Sequence, residues 1–175
     1  MGKSPASSLL LRDACESDFD AILSLNLQFE HFLSPMNRAR LAQLHRQAAY
    51  HRVLYQGGGV AAFLLAFREG AEYDSENYRW FGSRFASFVY IDRVVVAAGC
   101  QGQQLGAMLY DDLFRFARAS AVPRVACEFD LDPPNAASSR FHARFGFQAV
   151  GTQSVAGGRK RVSLQLADCA RRSEA

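Results

Sequence analysis

The chain has 175 residues, 49% of them hydrophobic, with a formal charge of only +3, so it is long enough for one domain with a sizeable core. Its basic residues are scattered, which excludes a nucleic-acid footprint beyond Arg159-Lys160-Arg161, a cluster that either edges a strand or faces an anionic ligand. No run of about 18 apolar residues occurs, and Ser7-Ser-Leu-Leu-Leu-Arg-Asp-Ala is too short and too charged for a secretory leader, so a soluble, cytoplasmic protein with no membrane partner is expected.

In chain order, Leu9-Leu-Leu-Arg-Asp-Ala predicts a first strand, and Ser17 is placed to cap a helix whose apolar positions are Phe19, Ile22, Leu23, Leu25 and Leu27. A second helix is expected from Asn37 to His51. Val53-Leu-Tyr, the turn Gly57-Gly-Gly and Val60-Ala-Ala-Phe-Leu-Leu-Ala-Phe67 predict a hairpin. Arg68 to Arg84 is polar and aromatic and has no assigned element. A strand follows over Phe88 to Val96, then a Gln/Gly loop, a helix, a strand over Arg124 to Leu131, and a helix led by Asn135. Phe147-Gln-Ala-Val-Gly and Arg161-Val-Ser-Leu-Gln-Leu close the sheet. The pattern is α+β with one parallel step at its centre, and no Pro/Ser-rich linker, repeat or low-complexity tract divides it. Residues 1–6 and 169–175 are expected to be flexible tails. Cys15, Cys100, Cys127 and Cys169 have neither metal-ligand spacing nor a compact disulfide pattern, so reduced thiols and no metal site are expected.

The most informative stretch is Val94 to Leu109. An apolar strand stops at Gln101-Gly102-Gln103-Gln104 and resumes as Leu105-Gly106-Ala107, the start of an amphipathic helix. The first amides of a helix have no intrahelical partner, and the macrodipole adds positive potential there, so a phosphate fits. A plain structural turn reads the same way. The sequence holds neither a Gly-Lys-Ser/Thr phosphate loop nor a three-glycine dinucleotide fingerprint at this point.

A second segment, Asp132-Pro-Pro-Asn-Ala-Ala-Ser-Ser-Arg-Phe-His-Ala-Arg-Phe-Gly-Phe147, settles the choice. In combination, the two segments resemble the GNAT superfamily of N-acetyltransferases. That family's first motif, Val, four variable residues and Arg/Gln-Gly-x-Gly/Ala-x-Gly, corresponds to Val96 and Gln101 to Gly106. Its second, Asn-x-x-Ala-x-x-Phe-Tyr-x-x-x-Gly-Phe, is matched at Asn135, Ser138, Phe141, His142, Gly146 and Phe147. The resemblance implies a single α/β/α-layered domain with a mixed, mostly antiparallel twisted sheet, a splayed central parallel pair and about four flanking helices.

It also implies acetyl-CoA as cosubstrate and an amine as acceptor. The diphosphate would lie on the amides of Gln101, Gly102, Gln103, Gln104, Leu105, Gly106 and Ala107. The pantetheine would run beside the backbone of Val94, Val95 and Val96, with Asn135, Ser138, Phe141 and His142 close by, and the amide near Val94 would contact the oxyanion. Gln101 stands where the family more often has Arg, which removes one charge from the phosphate site and leaves Arg140, Arg144 and Lys160 as candidates to compensate.

Acetyl transfer needs a neutral amine and a protonated leaving thiolate. Period-two alternation puts Tyr90 and Asp92 on one face, where the resemblance places base or relay residues. Asp92 is the first candidate, the alternative being a carboxylate paired with Arg93 or a neighbouring loop. Glu128 shares a face with Asp130 as a solvated or substrate-facing edge. His142 replaces the Tyr that often protonates the thiolate; it acts as general acid or is structural, in which case solvent serves. On the acceptor side, the resemblance points to Gln28 to Leu33 and Glu72 to Phe81, with Glu30, Tyr73 and Trp80 as candidates to receive a cationic amine. A non-catalytic acyl-CoA-binding or protein-interaction module on the same fold is the competing reading, and pairing through late strands, common in the family, leaves a homodimer open.

Overall fold

The computed structural model describes residues 9–31, 33–132 and 134–171. Seven strands, β1 (Leu10–Asp13), β2 (Tyr50–Gln56), β3 (Gly59–Arg68), β4 (Val89–Val96), β5 (Arg124–Asp132), β6 (Gln148–Val155) and β7 (Lys160–Asp168), form one mixed sheet in the order β1-β2-β3-β4-β5-β7-β6. The described residues also form five α-helices: α1 (Phe19–Leu27), α2 (Arg38–Gln47), α3 (Glu76–Gly82), α4 (Leu105–Ala119) and α5 (Ala136–Arg144). The α+β class and the central parallel step are as expected, with one helix more than anticipated. Among the described residues no helix is long and apolar enough to cross a membrane.

Contacts divide the described chain into two compact units, one running up to Leu65 with Arg93–Leu109, the other comprising Ala66–Asp92 with the residues from Tyr110 onward. In the first, β1 and β2 pair antiparallel from Leu10↔Tyr55 to Asp13↔Arg52. Phe19, Ile22 and Leu25 of α1 pack with Leu41, Val53, Phe63 and Val95 in one buried cluster, as their helical spacing requires. Ser17 does not cap α1. The chain enters through a 3-10 turn, Glu16–Asp18, and Asp18 accepts from Arg12 Nη1 and Nη2 (2.7 and 2.8 Å) and from the Cys15 amide (2.9 Å). Those bonds, the arginine's first, hold the Asp18 carboxyl at about 2 against the opposing effect of burial.

Asn37 caps α2, accepting from the Arg40 amide at 2.8 Å. The helix ends at Gln47 rather than His51, because Ala48 turns extended and Tyr50 and His51 are drawn, buried, into β2. His51 Nδ1 lies 2.8 Å from His45 Nδ1, and its ring meets Phe63 edge-on. Burial, with the neighbouring His45, pushes the His51 pKa down to about 4.

In the second unit, the segment Arg68 to Arg84 contains a helix that the sequence reading left unassigned. Ser75 Oγ accepts from the Tyr78 amide at 3.3 Å, and Asn77, Tyr78 and Phe81 are buried on the seven-residue α3. A helix so short and so rich in aromatics has little intrinsic propensity; packing against Phe67, Phe88 and Tyr90 makes it. β4 meets β5 in parallel at Val89↔Val125 and Tyr90↔Ala126, and β5 is laddered antiparallel to β7, which carries β6. Tyr110, Leu113, Phe114 and Ala117 of α4 are buried, the i, i+3, i+4, i+7 pattern of an amphipathic helix.

Cys169 is buried in a 3-10 turn, Cys169–Arg171, and its amide donates to Pro123 O at 2.9 Å. Residues 1–6 and 172–175, expected as tails, lie outside the described residues.

His51 generates a pH prediction. Its folded pKa lies below the unfolded value, so the unfolded chain binds the proton more readily, and stability falls as the pH drops from about 6.5 toward about 4. Urea denaturation across that window is expected to lose about 3 kcal/mol in the wild type. In His51→Phe the slope flattens there, while the loss due to Asp18, which lies lower, persists.

Candidate active site

The loop after β4 has the backbone geometry of an anion cradle. Ala97 ends the strand by donating to Ala61 O at 2.8 Å, and a 3-10 turn, Ala98–Cys100, leads into exposed Gln101 to Gln104. Gly102 (φ +80°) and Gln104 (φ +61°) are both left-handed, which glycine adopts freely and glutamine only at a cost. The α4 hydrogen-bond ladder starts with Met108 donating to Gln104 O at 3.0 Å, so the amides of Leu105, Gly106 and Ala107 precede it and carry the positive end of the helix dipole. Leu105 and Leu109 are buried and fix the helix start. On β4, Val95 is buried while Val94 and Val96 are half-buried.

A second cluster contains the titratable groups. Tyr90, only 1% exposed, directs its hydroxyl at both carboxylate oxygens of Glu128 (2.9 and 2.8 Å). Ser75 Oγ lies 3.5 Å from the same hydroxyl, and Asn77 also bonds to Glu128. Asp92 accepts a hydrogen bond from the Tyr73 hydroxyl, which belongs to the loop before α3. Tyr73 itself stacks on Phe67 and lies among Tyr78 and Tyr90. Burial, with the Tyr90 bond opposing it and the charge of Asp92 adding to it, raises the Glu128 pKa to about 7. Tyr90 is pushed well above its ordinary value by burial and the adjacent carboxylates, so it remains a donor.

The sequence put Asp92 first and read Glu128 as a solvated or substrate-facing edge; Glu128 is half-buried, accepts from Tyr90, and has its pKa raised to about 7. The parallel register explains the proximity: Tyr90 opposite Ala126 brings the next positions on that face, Asp92 and Glu128, together. Arg93, the other partner foreseen for Asp92, is buried and donates to Asn26 Oδ1 (2.7 Å) and Ser34 O (3.4 Å).

His142 is 5% exposed, and both ring nitrogens are engaged: Nε2 lies 2.8 Å from Tyr110 Oη, and Nδ1 lies 2.7 Å from Ser138 O. A carbonyl only accepts, so Nδ1 carries the proton and Nε2 accepts from Tyr110. Burial lowers the His142 pKa, against the raising effect of the Ser138 carbonyl. Of the two roles left open by the sequence, general acid or structural, these bonds describe an imidazole that joins α4 to α5. Asn135 accepts from the Ser138 amide (3.0 Å) as the N-cap of α5, and Phe141 meets Tyr110 edge-on. Of the cations offered for the missing Arg at Gln101, Lys160 pairs with Asp130 at 3.3 Å, and the Arg144 guanidinium lies over Phe141. Lys160 and Arg161 open β7, so the basic cluster edges a strand.

On the acceptor side, Glu30 lines a cavity of about 280 Å³ with Leu23, Ser24, Asn26, Leu27 and Met36. Trp80 is half-buried: Arg84 stacks on it at 4.0 Å, and a Cβ added at Gly151 would lie 2.7 Å from its Cζ2. No group of three or more His, Cys, Asp or Glu among the described residues forms a metal cage, and the four cysteines are free thiols.

A model of the acetyltransferase (GNAT) family matches residues 16–147, and the chain belongs to that family. It is 42% identical over 64 residues to a phosphinothricin N-acetyltransferase from Streptomyces coelicolor, a match spanning 37% of this chain and 36% of the relative. Among solved structures, Ard1 from Thermoplasma volcanium aligns with a TM-score of 0.73 at 15% identity, covering 91% of this chain and 97% of that one. The yncA protein of Salmonella typhimurium, solved with its cofactor acetyl-CoA, aligns at 0.70 and 18% identity, covering 97% and 98%.

The Trp80 contact is directly testable. Gly151→Ala is expected to destabilise the protein by about 1–3 kcal/mol in urea titration, because the new methyl meets a ring that Arg84 and Phe81 hold in place. Adding Trp80→Phe should recover part of that loss.

Proposed function

We propose that the protein is an acetyl-CoA-dependent N-acetyltransferase that acetylates a primary amine by direct attack, and that its residues serve one domain. The observation that carries this reading is Glu128, clamped by Tyr90 and poised at about 7, where a carboxylate is a base strong enough to take a proton from an ammonium yet still ionised at neutral pH. Asp92, which accepts from Tyr73, supplies negative charge that draws the ammonium in.

The cradle fits a diphosphate, because the three amides ahead of the α4 ladder and the left-handed Gly102 and Gln104 present donors to an anion without any cation. Acetyl-CoA supplies a thioester carbonyl whose oxygen gains charge as the amine attacks. The Val94 amide would stabilise that charge, with the backbone of Val95 and Val96 available to the pantetheine. Asn135, Ser138 and Phe141 would act by fixing the start of α5. A neutral, doubly bonded His142 leaves solvent to protonate the thiolate. Glu30, in its cavity, would contact the acceptor.

The test follows thiol release from acetyl-CoA against a panel of amines, as kcat/KM over pH. The rate should rise with pH through about 7, since the proton must leave Glu128 before it can accept one, and then level off. In Glu128→Gln the limb near 7 should vanish and kcat/KM fall by about 100-fold or more. Coenzyme A binding without thiol release for any amine would favour the binding-module reading instead.

A further inference from the structure

Gln56 closes β2, outside both motifs that carry the family resemblance, and its side chain reaches the loop after β4. Its Nε2 donates to Gln103 Oε1 at 3.0 Å. Its own Oε1 is shielded from solvent with no hydrogen-bond partner among the described residues. A buried acceptor left unsatisfied is a cost that folding alone does not justify, and such groups concentrate where function fixes a geometry.

The loop needs that fixing. Gln101 to Gln104 are exposed, and two of the four hold left-handed backbone, one of them a glutamine. A loop of this kind has many alternatives, and each must be abandoned when an anion is bound through backbone amides. Where an arginine would hold phosphate by charge, this chain has the neutral Gln101, so binding rests on how well the amides are set beforehand. The hairpin between β2 and β3, turning at left-handed Gly57 and Gly58, offers a firm anchor, because β2 is laddered to β1 and buried along most of its length.

We propose that Gln56 is a positioning residue for the cofactor, acting through Gln103 to preorganise the diphosphate-binding loop. This rests on the reading of that loop as the coenzyme A cradle. Gln56 touches neither the reacting atoms nor the phosphate; it sets the register of the amides that do.

The experiment measures coenzyme A affinity by calorimetry, and melting temperature, for wild type, Gln56→Ala, Gln103→Ala, the double variant and Gly106→Asp. The last introduces a carboxylate into the first turn of α4, where the helix dipole tolerates it but a phosphate does not. Gln56→Ala and Gln103→Ala are each expected to weaken binding about five-fold, the worth of one net hydrogen bond, and the double variant no more than the worse single one. With acetyl-CoA, the effect of Gln56→Ala should fall on KM and leave kcat unmoved, a split that a general loss of stability would not give. Affinity within two-fold of wild type in Gln56→Ala, or effects that multiply in the double variant, would overturn the proposal while Gly106→Asp still abolished binding. If wild type fails to bind coenzyme A, or Gly106→Asp binds equally well, the cradle reading falls and this inference with it. Should Gln56→Ala melt too low to assay, Gln103→Ala decides alone.

Discussion

The hydrogen bond from Tyr90 to Glu128 is the constraint on which the proposed chemistry depends. Burial takes hydration from the Glu128 carboxylate and makes its charged form costly; hydrogen bonds from Tyr90 and Asn77 return part of that cost. The balance here leaves Glu128 at about 7, between a permanently neutral acid and an ordinary surface carboxylate. Tyr90 is suited to the clamp because its own ionisation is suppressed by burial and by the carboxylates beside it. It donates whatever the state of its partner.

Much of the second unit serves that arrangement. α3 exists because Ser75 caps it and because Tyr78 and Phe81 bury themselves; the same turn brings Ser75 to the Tyr90 hydroxyl and Asn77 to Glu128. The loop ahead of it brings Tyr73 to Asp92. Two tyrosines therefore attend two carboxylates, and each is fixed by ring contacts rather than by the polar bond itself. Buried polar networks of this kind hold a geometry only when the apolar frame does so first. The cradle relies on a different resource, the backbone amides ahead of the α4 ladder, so its side chains are free to be neutral.

His142 shows how a motif position keeps its structural place with a different side chain. Its helix and its neighbours are those the second motif anticipates, yet the imidazole is sealed between Tyr110 and the Ser138 carbonyl. A proton donor to a substrate needs an open nitrogen, and here both are committed. Trp80 is a similar case: an aromatic in a polar segment invites a ligand reading, but Gly151 leaves room for its ring and Arg84 covers it.

The sequence by itself determined the α+β class, the central parallel step, and the loop and helix after β4, since each is written in local patterns: period-two strands, a period-3.6 helix and glycines at turns. It did not contain α3, whose propensity is weak and whose stability comes from packing, nor the end of α2, which β2 overrides by burying Tyr50 and His51. It named Tyr90, Asp92 and Glu128, but not the hydrogen bonds that join Tyr90 to Glu128 and Tyr73 to Asp92. Their proximity depends on a strand register, Tyr90 opposite Ala126, and the raised pKa of Glu128 on burial in the folded chain. Which carboxylate becomes a base is a question of electrostatic environment, and that environment exists only once the chain has folded.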